Sequence, residues 1–222
     1  AEAHSNLGNI LKEQGKLDKA EISTRKAIEL NPDFADAYFN LALIELLKGN
    51  YQSGLDHYEY RANRKKGLTK HANPTIQIVN NKKLKPGERL LVVSEQGLGD
   101  TLQFMRYIPH LKSQGLDVSF CAQTKLHSLI KASAIDPNPL TPEQANQVSE
   151  GQWIPLLSLP RYLQVSPQDP IATQTYIYST AELNKKWKKI LSKEKRPIIG
   201  INWQGKPSLE KNYQGRSLPL EV

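Results

Sequence analysis

The chain has 222 residues with Lys+Arg 30 against Asp+Glu 22, a net charge of +8, and 38% hydrophobic residues. That excludes collagen-like, mucin-like and disordered-tail readings and leaves room for one medium domain or two small ones. The single cysteine, Cys121, has no internal disulfide partner, and neither a leader pattern nor an apolar run of bilayer length occurs, so a cytoplasmic location without a transmembrane segment is expected.

The basic excess is uneven. Residues 1–70 carry 11 basic and 10 acidic side chains, residues 71–190 carry 13 and 9, and residues 191–222 carry 6 and 3. Basic character spread so thinly, with no recognition motif beside it, argues against a nucleic-acid partner and suits a small anionic ligand.

An offset of 34 residues aligns Ala3-His4-Ser5-Asn6-Leu7-Gly8 with Ala37-Tyr38-Phe39-Asn40-Leu41-Ala42, and Gln14-Gly15-Lys16-Leu17 with Lys48-Gly49-Asn50-Tyr51. Small or apolar residues at Leu7, Gly8, Leu11, Ala20 and Ala27, with Pro32 beyond them, suit two closely packed helices that then stop. Residues 1–66 therefore resemble tetratricopeptide repeats, two copies of a helical hairpin. The second copy departs from the pattern at Gly54, where alanine is common, and in the run Tyr58-Glu59-Tyr60-Arg61. Two such units bury little alone, so further repeats before Ala1 or packing on the next domain is expected. The repeats are read as a surface for a protein partner or as a structural stalk.

A basic, irregular linker is expected over 67–86, and a Rossmann-like parallel-sheet domain over 87–191. Arg89–Ser94 reads as a buried strand, Glu95–Asp100 as a glycine turn, and Thr101–Ile108 as a helix with Asp100 as its N-cap and Gln103 as the capping-box partner. Pro109 is expected to interrupt that helix and Gly115 to close it. Alternation in Leu116, Val118, Phe120 and Ala122 predicts a second strand, and Leu126, Leu129 and Ile130 a second helix. Residues 137–170 hold 7 of the 14 prolines and are expected to wrap the end of the sheet, with Ile154–Pro160 as one further strand. Thr180 then caps a helix with the stripe Leu183, Trp187, Ile190 and Leu191, its lysines forming a solvated face. The fold class is thus α followed by α/β.

Open parallel sheets bind ligands beyond the carboxyl ends of their strands, where the Gly97–Asp100 turn lies. It lacks the third glycine of a dinucleotide fingerprint and is no P-loop. On residue chemistry alone Asp100 serves either as a helix cap or as a general base toward a hydroxyl. The five histidines show no metal-ligand spacing, so no metal is expected, and Cys121 in a strand reads as buried and unreactive.

The run EQGLGDTLQF at 95–104, followed by Arg106-Tyr107-Ile108-Pro109, resembles the first strand, loop and helix of the heptosyltransferase-like glycosyltransferases (glycosyltransferase family 9) fused behind tetratricopeptide repeats. Tyr58–Arg61, Pro155–Pro160, Gly200–Gly205 and Gly215–Leu220 follow the same order. The resemblance implies a GT-B fold of two facing Rossmann-like domains and inverting transfer from a nucleotide sugar to a glycan or protein acceptor, without a bound metal or other cofactor. It implies Asp100 as the base, with Gly97, Gly99, Gln103 and Ser158 on the substrate side. Gln204, Lys211, Arg216 and Ser217 are implied at the donor phosphates, where a polar or basic side chain meets a pyrophosphate. The donor-side domain would begin within 192–222, so the 222 residues alone are expected not to turn over substrate. The alternative is a non-catalytic interaction scaffold.

Overall fold

The structure is a computed structural model, and residues 1–64, 70–80, 82–171 and 174–195 are described. The chain divides into two compact units, Ala1–Ser179 and Thr180–Val222.

The first unit opens with two helical hairpins. They comprise α1 (Glu2–Glu13) with α2 (Leu17–Leu30), then α3 (Ala35–Leu47) with α4 (Tyr51–Tyr58), which continues as a 3-10 turn over Glu59–Asn63. Gly15 and Gly49 end the first helix of each pair at φ of +71° and +84°, a backbone region that favours glycine. Gly8 is demanded by packing: a Cβ there would stand 2.2 Å from Thr24 Oγ1 and 3.2 Å from the Ala20 carbonyl. Gly54 has the same explanation, since its Cβ would meet Leu46 Cγ at 2.9 Å. Ala20, Ala27, Ala37, Leu41 and Ile44 form the buried seam. Polar ties cross it as well, with Asn40 Nδ2 donating to Ser5 Oγ at 2.9 Å and the buried Glu45 accepting from Arg25 at 2.9 Å.

A four-stranded, all-parallel sheet follows: β1 (Gln77–Ile78), β2 (Arg89–Val93), β3 (Asp117–Cys121) and β4 (Gln152–Pro155), in the order β1-β4-β2-β3. The pleat sends Leu90, Val92, Val118, Phe120 and Ile154 into the larger core with Met105, Ile108 and Leu111. Leu91, Val93, Cys121 and Trp153 face the other way, onto Ala72 and Ala145. Both faces are covered, which is why β2 reads as an unbroken apolar run. Helices α5 (Leu98–Phe104), α6 (Ile108–Ser113), α7 (His127–Ala132), α8 (Pro142–Asn146) and α9 (Leu159–Tyr162) complete the unit.

Several elements differ from the sequence-based expectation. Gly97, not Asp100, is the N-cap of α5; Asp100 is the third helical residue and reaches back to the Gly97 N–H. The proline-rich stretch does not merely wrap the sheet, because β4 from within it inserts between β1 and β2. That strand also stops at Pro155, and Leu156–Ser158 turn as a 3-10 segment into α9, where Pro160 occupies a first-turn position that needs no N–H. The helix expected to reach Ile108 ends at Phe104, a 3-10 segment over Met105–Tyr107 follows, and Pro109 stands in the first turn of α6, where its missing N–H costs nothing. The stretch read as irregular around 67–86 contributes β1.

In the second unit, α10 (Ala181–Leu191) is capped by Thr180, whose Oγ1 accepts from the Leu183 N–H at 3.2 Å. Its stripe of Leu183, Trp187, Ile190 and Leu191 is exposed. No helix among the described residues is long and apolar enough to cross a membrane.

Candidate functional site

The glycine turn leaves the carboxyl end of β2 and is built in two layers, a buried ionic base and an exposed rim. The base begins with Ser94 and Glu95, both fully buried although the chain is about to leave the sheet. A buried carboxylate must be paired. Its partner is Arg61, at the end of the second repeat and only 3% exposed: Nη2 donates to Glu95 Oε1 at 2.8 Å and Nε to Oε2 at 3.3 Å. Arg61 also donates to Glu59 Oε1 at 2.8 Å, to the Tyr58 carbonyl at 3.2 Å and to Ser158 Oγ at 2.7 Å. Ser158 in turn donates to Glu59 Oε2 at 2.9 Å, and the Leu157 N–H donates to Glu95 Oε1 at 3.0 Å. Burial works against the Arg61 charge, but Glu95 and Glu59 more than offset it and hold the guanidinium above its ordinary range.

The rim is the turn itself. Gln96 adopts φ +62°, a strained setting for a non-glycine residue, and Gln96 to Gly99 are exposed. The Gly97 N–H donates to Asp100 Oδ2 at 2.9 Å. Thr101 is buried behind the turn and donates to Gln123 Oε1, beyond β3, at 2.9 Å. His71 Nδ1 lies 2.9 Å from Ser94 Oγ, and the His71 N–H donates to the Ser94 carbonyl. Above the ion pair, burial pushes the Tyr58 hydroxyl up from its ordinary range while Arg61 and a hydrogen bond with Gln96 pull it down.

Chemically, the turn offers one half-exposed carboxylate and open backbone. Asp100 uses Oδ2 for the cap, and Oδ1 has no partner among the described residues. At Gly99 a Cβ would meet nothing within 4 Å and the φ is not positive. Neither strain nor packing requires glycine there, and the space it leaves faces outward.

The substrate-side residues expected from the sequence thus separate. Gly97, Gly99 and Asp100 converge on the turn. Gln103 is exposed one helical turn beyond Asp100, and its carbonyl accepts from Arg106 Nε at 2.8 Å. Ser158 is 4% exposed with its hydroxyl committed to Arg61 and Glu59, so it belongs to the ionic base and not to the rim. Gln204, Lys211, Arg216 and Ser217 lie outside the described residues. Glu95 and Arg61 stand within the 95–104 and 58–61 motifs, yet their pairing is not written in either; an acidic residue following an apolar strand is the one signal of it in the sequence. Burial pushes the Cys121 thiol up to about 12, as expected of an unreactive side chain. No group of three or more His, Cys, Asp or Glu able to hold a metal occurs among the described residues.

Comparison with known proteins defines the class of the first part: family models of the tetratricopeptide repeat match residues 1–34 and 24–56, so the chain begins with tetratricopeptide repeats. Among curated proteins, the human Protein O-mannosyl-transferase TMTC1 is 50% identical over 52 residues, which is 23% of this chain. That stretch spans 6% of the relative's length.

Proposed function

We propose that the protein transfers a sugar from a nucleotide sugar to an acceptor hydroxyl of a glycan or protein, with inversion, and that Asp100 is the general base. The observation that carries this reading is the exposed Gly97–Asp100 turn, whose carboxylate keeps one oxygen free while the other holds the backbone. Asp100 Oδ1 takes the acceptor proton as the acceptor oxygen bonds to the anomeric carbon, and the bond from that carbon to the donor phosphate breaks. The nucleoside diphosphate leaves with that electron pair. Gln204, Lys211, Arg216 and Ser217 are assigned to its phosphates on the strength of the resemblance. Gly97 and Gly99 let the acceptor approach the backbone, and Gln103 extends the same face of α5. Support comes also from the ordered motifs of the glycosyltransferase resemblance and from the name of the human relative, a mannosyltransferase. The repeats recruit the acceptor or a protein partner.

The test uses the longest natural form of the protein with a panel of nucleotide sugars. One donor should stabilise both wild type and Asp100→Asn, by about 2.7 kcal/mol at roughly a hundredfold over Kd, while only wild type transfers sugar. A second reading, a tetratricopeptide interaction scaffold, is favoured by the matched repeats. It predicts no donor binding, and partner capture that survives loss of residues 87–222.

A further inference from the structure

A second feature stands at the carboxyl edge of the sheet: a cleft of about 410 Å³ between α4 and the ends of β1 and β4. Its size falls within the range of small-molecule sites, roughly 300–1,000 Å³. Gln52 and Asp56 on α4 form one wall, Asn80 and Lys83 after β1 another, and Arg161 and Gln164 around α9 a third. Glu59 and Ser158 also line it, and its apolar part comes from Val79, the buried Ile154 and Pro155, and Ile78, which is 50% exposed. Tyr162 also lines it, and its ring is fixed because the Leu84 N–H donates to the phenol oxygen at 2.8 Å.

We infer that this cleft binds a neutral saccharide unit. The charged side chains of the lining, Asp56 and Glu59 against Lys83 and Arg161, sum to zero. Asp56 Oδ1 accepts from Arg161 Nε at 2.7 Å, and Glu59 shares Arg61 with Glu95, so Glu59 and Lys83 remain as the two opposite charges of the lining. An ionic ligand of either sign would meet a neutral field, with one like charge for every opposite one in the lining. Gln164 presents donors and an acceptor together, as vicinal hydroxyls require, while Gln52 gives one amide hydrogen to Asp56 Oδ2 at 3.4 Å and Asn80 Oδ1 accepts from the Lys82 N–H at 2.9 Å, each keeping further donor and acceptor capacity. The exposed Ile78 and the fixed Tyr162 ring supply the apolar surface for the C–H face of a sugar ring. The repeat therefore builds a ligand wall. Binding here needs neither Asp100 nor a donor, so it stands or falls apart from transfer at the turn.

The experiment is an NMR titration of the full chain with the methyl glycosides of glucose, mannose, galactose and N-acetylglucosamine, and with inorganic phosphate. Each is carried to about 50 mM, well above a Kd of about 1 mM. At least one glycoside should move the amide signals of Gln52, Asn80 and Gln164. Gln52→Ala, on an exposed helical face, should weaken that Kd about fivefold, the loss of one hydrogen bond, and Gln52→Trp should fill the cleft and abolish binding. The inference is overturned if no glycoside moves these signals, if Gln52→Trp binds as wild type does, or if phosphate displaces the glycoside.

Discussion

Arg61 grips Glu95 across 34 residues of sequence, Nη2 to Oε1 at 2.8 Å and Nε to Oε2 at 3.3 Å, with both side chains at 3% exposure or less. The pair joins the last repeat to the residue from which the glycine turn departs. The repeats and the sheet thus share a buried salt bridge, and the last repeat packs on the domain that follows it. Removing one partner of such a pair costs about 3–5 kcal/mol because the other charge is left buried. Arg61→Ala and Glu95→Ala should each lower unfolding stability by that amount in urea, and the double variant by clearly less than their sum. Additive losses would remove the pair as the link.

At the turn, Asp100 combines cap and carboxylate. Asp100→Ala should lose about 1 kcal/mol of stability with the cap, whereas Asp100→Asn keeps an oxygen for the Gly97 N–H and should stay within a few tenths. If Asp100 is the base, both variants lose activity alike, by about 10²–10⁴ in kcat. Thermal unfolding and transfer assays on the same preparations separate the two roles.

Within the first hairpin, Gly8→Ala should destabilise by about 1–3 kcal/mol through overpacking. The added Cβ has the Ala20 carbonyl as well as Thr24 against it, and a backbone atom does not rotate aside. Gly99→Ala, where the added carbon meets nothing within 4 Å, should be tolerated. Urea midpoints of the two variants give the comparison directly.

Cys121 predicts a pH dependence. The native thiol keeps its proton to about 12, against an ordinary value of 9.0. Between those values the native state binds more protons than the unfolded state, so stability falls as pH rises through this window, and below it the thiol contributes no slope. Cys121→Ala should flatten that alkaline loss. At pH 8, thiol labelling of the native protein should proceed at the rate of opening and accelerate sharply in denaturant.

The 34-residue period, the apolar β2 run and the glycine turn were legible because each is written in adjacent residues, and local spacing determines them. Cap chemistry was legible only approximately: an aspartate at the third helical position and one at the N-cap look alike until the backbone shows which N–H is reached. The place of β4 between β1 and β2 was not legible, since prolines mark where a strand must stop but not which strands it pairs with. Nor was the Arg61–Glu95 pair, or the cleft walled by α4. Sequence carries charge and period; which distant charge is buried against which is set by tertiary packing, where desolvation leaves an unpaired ion no place.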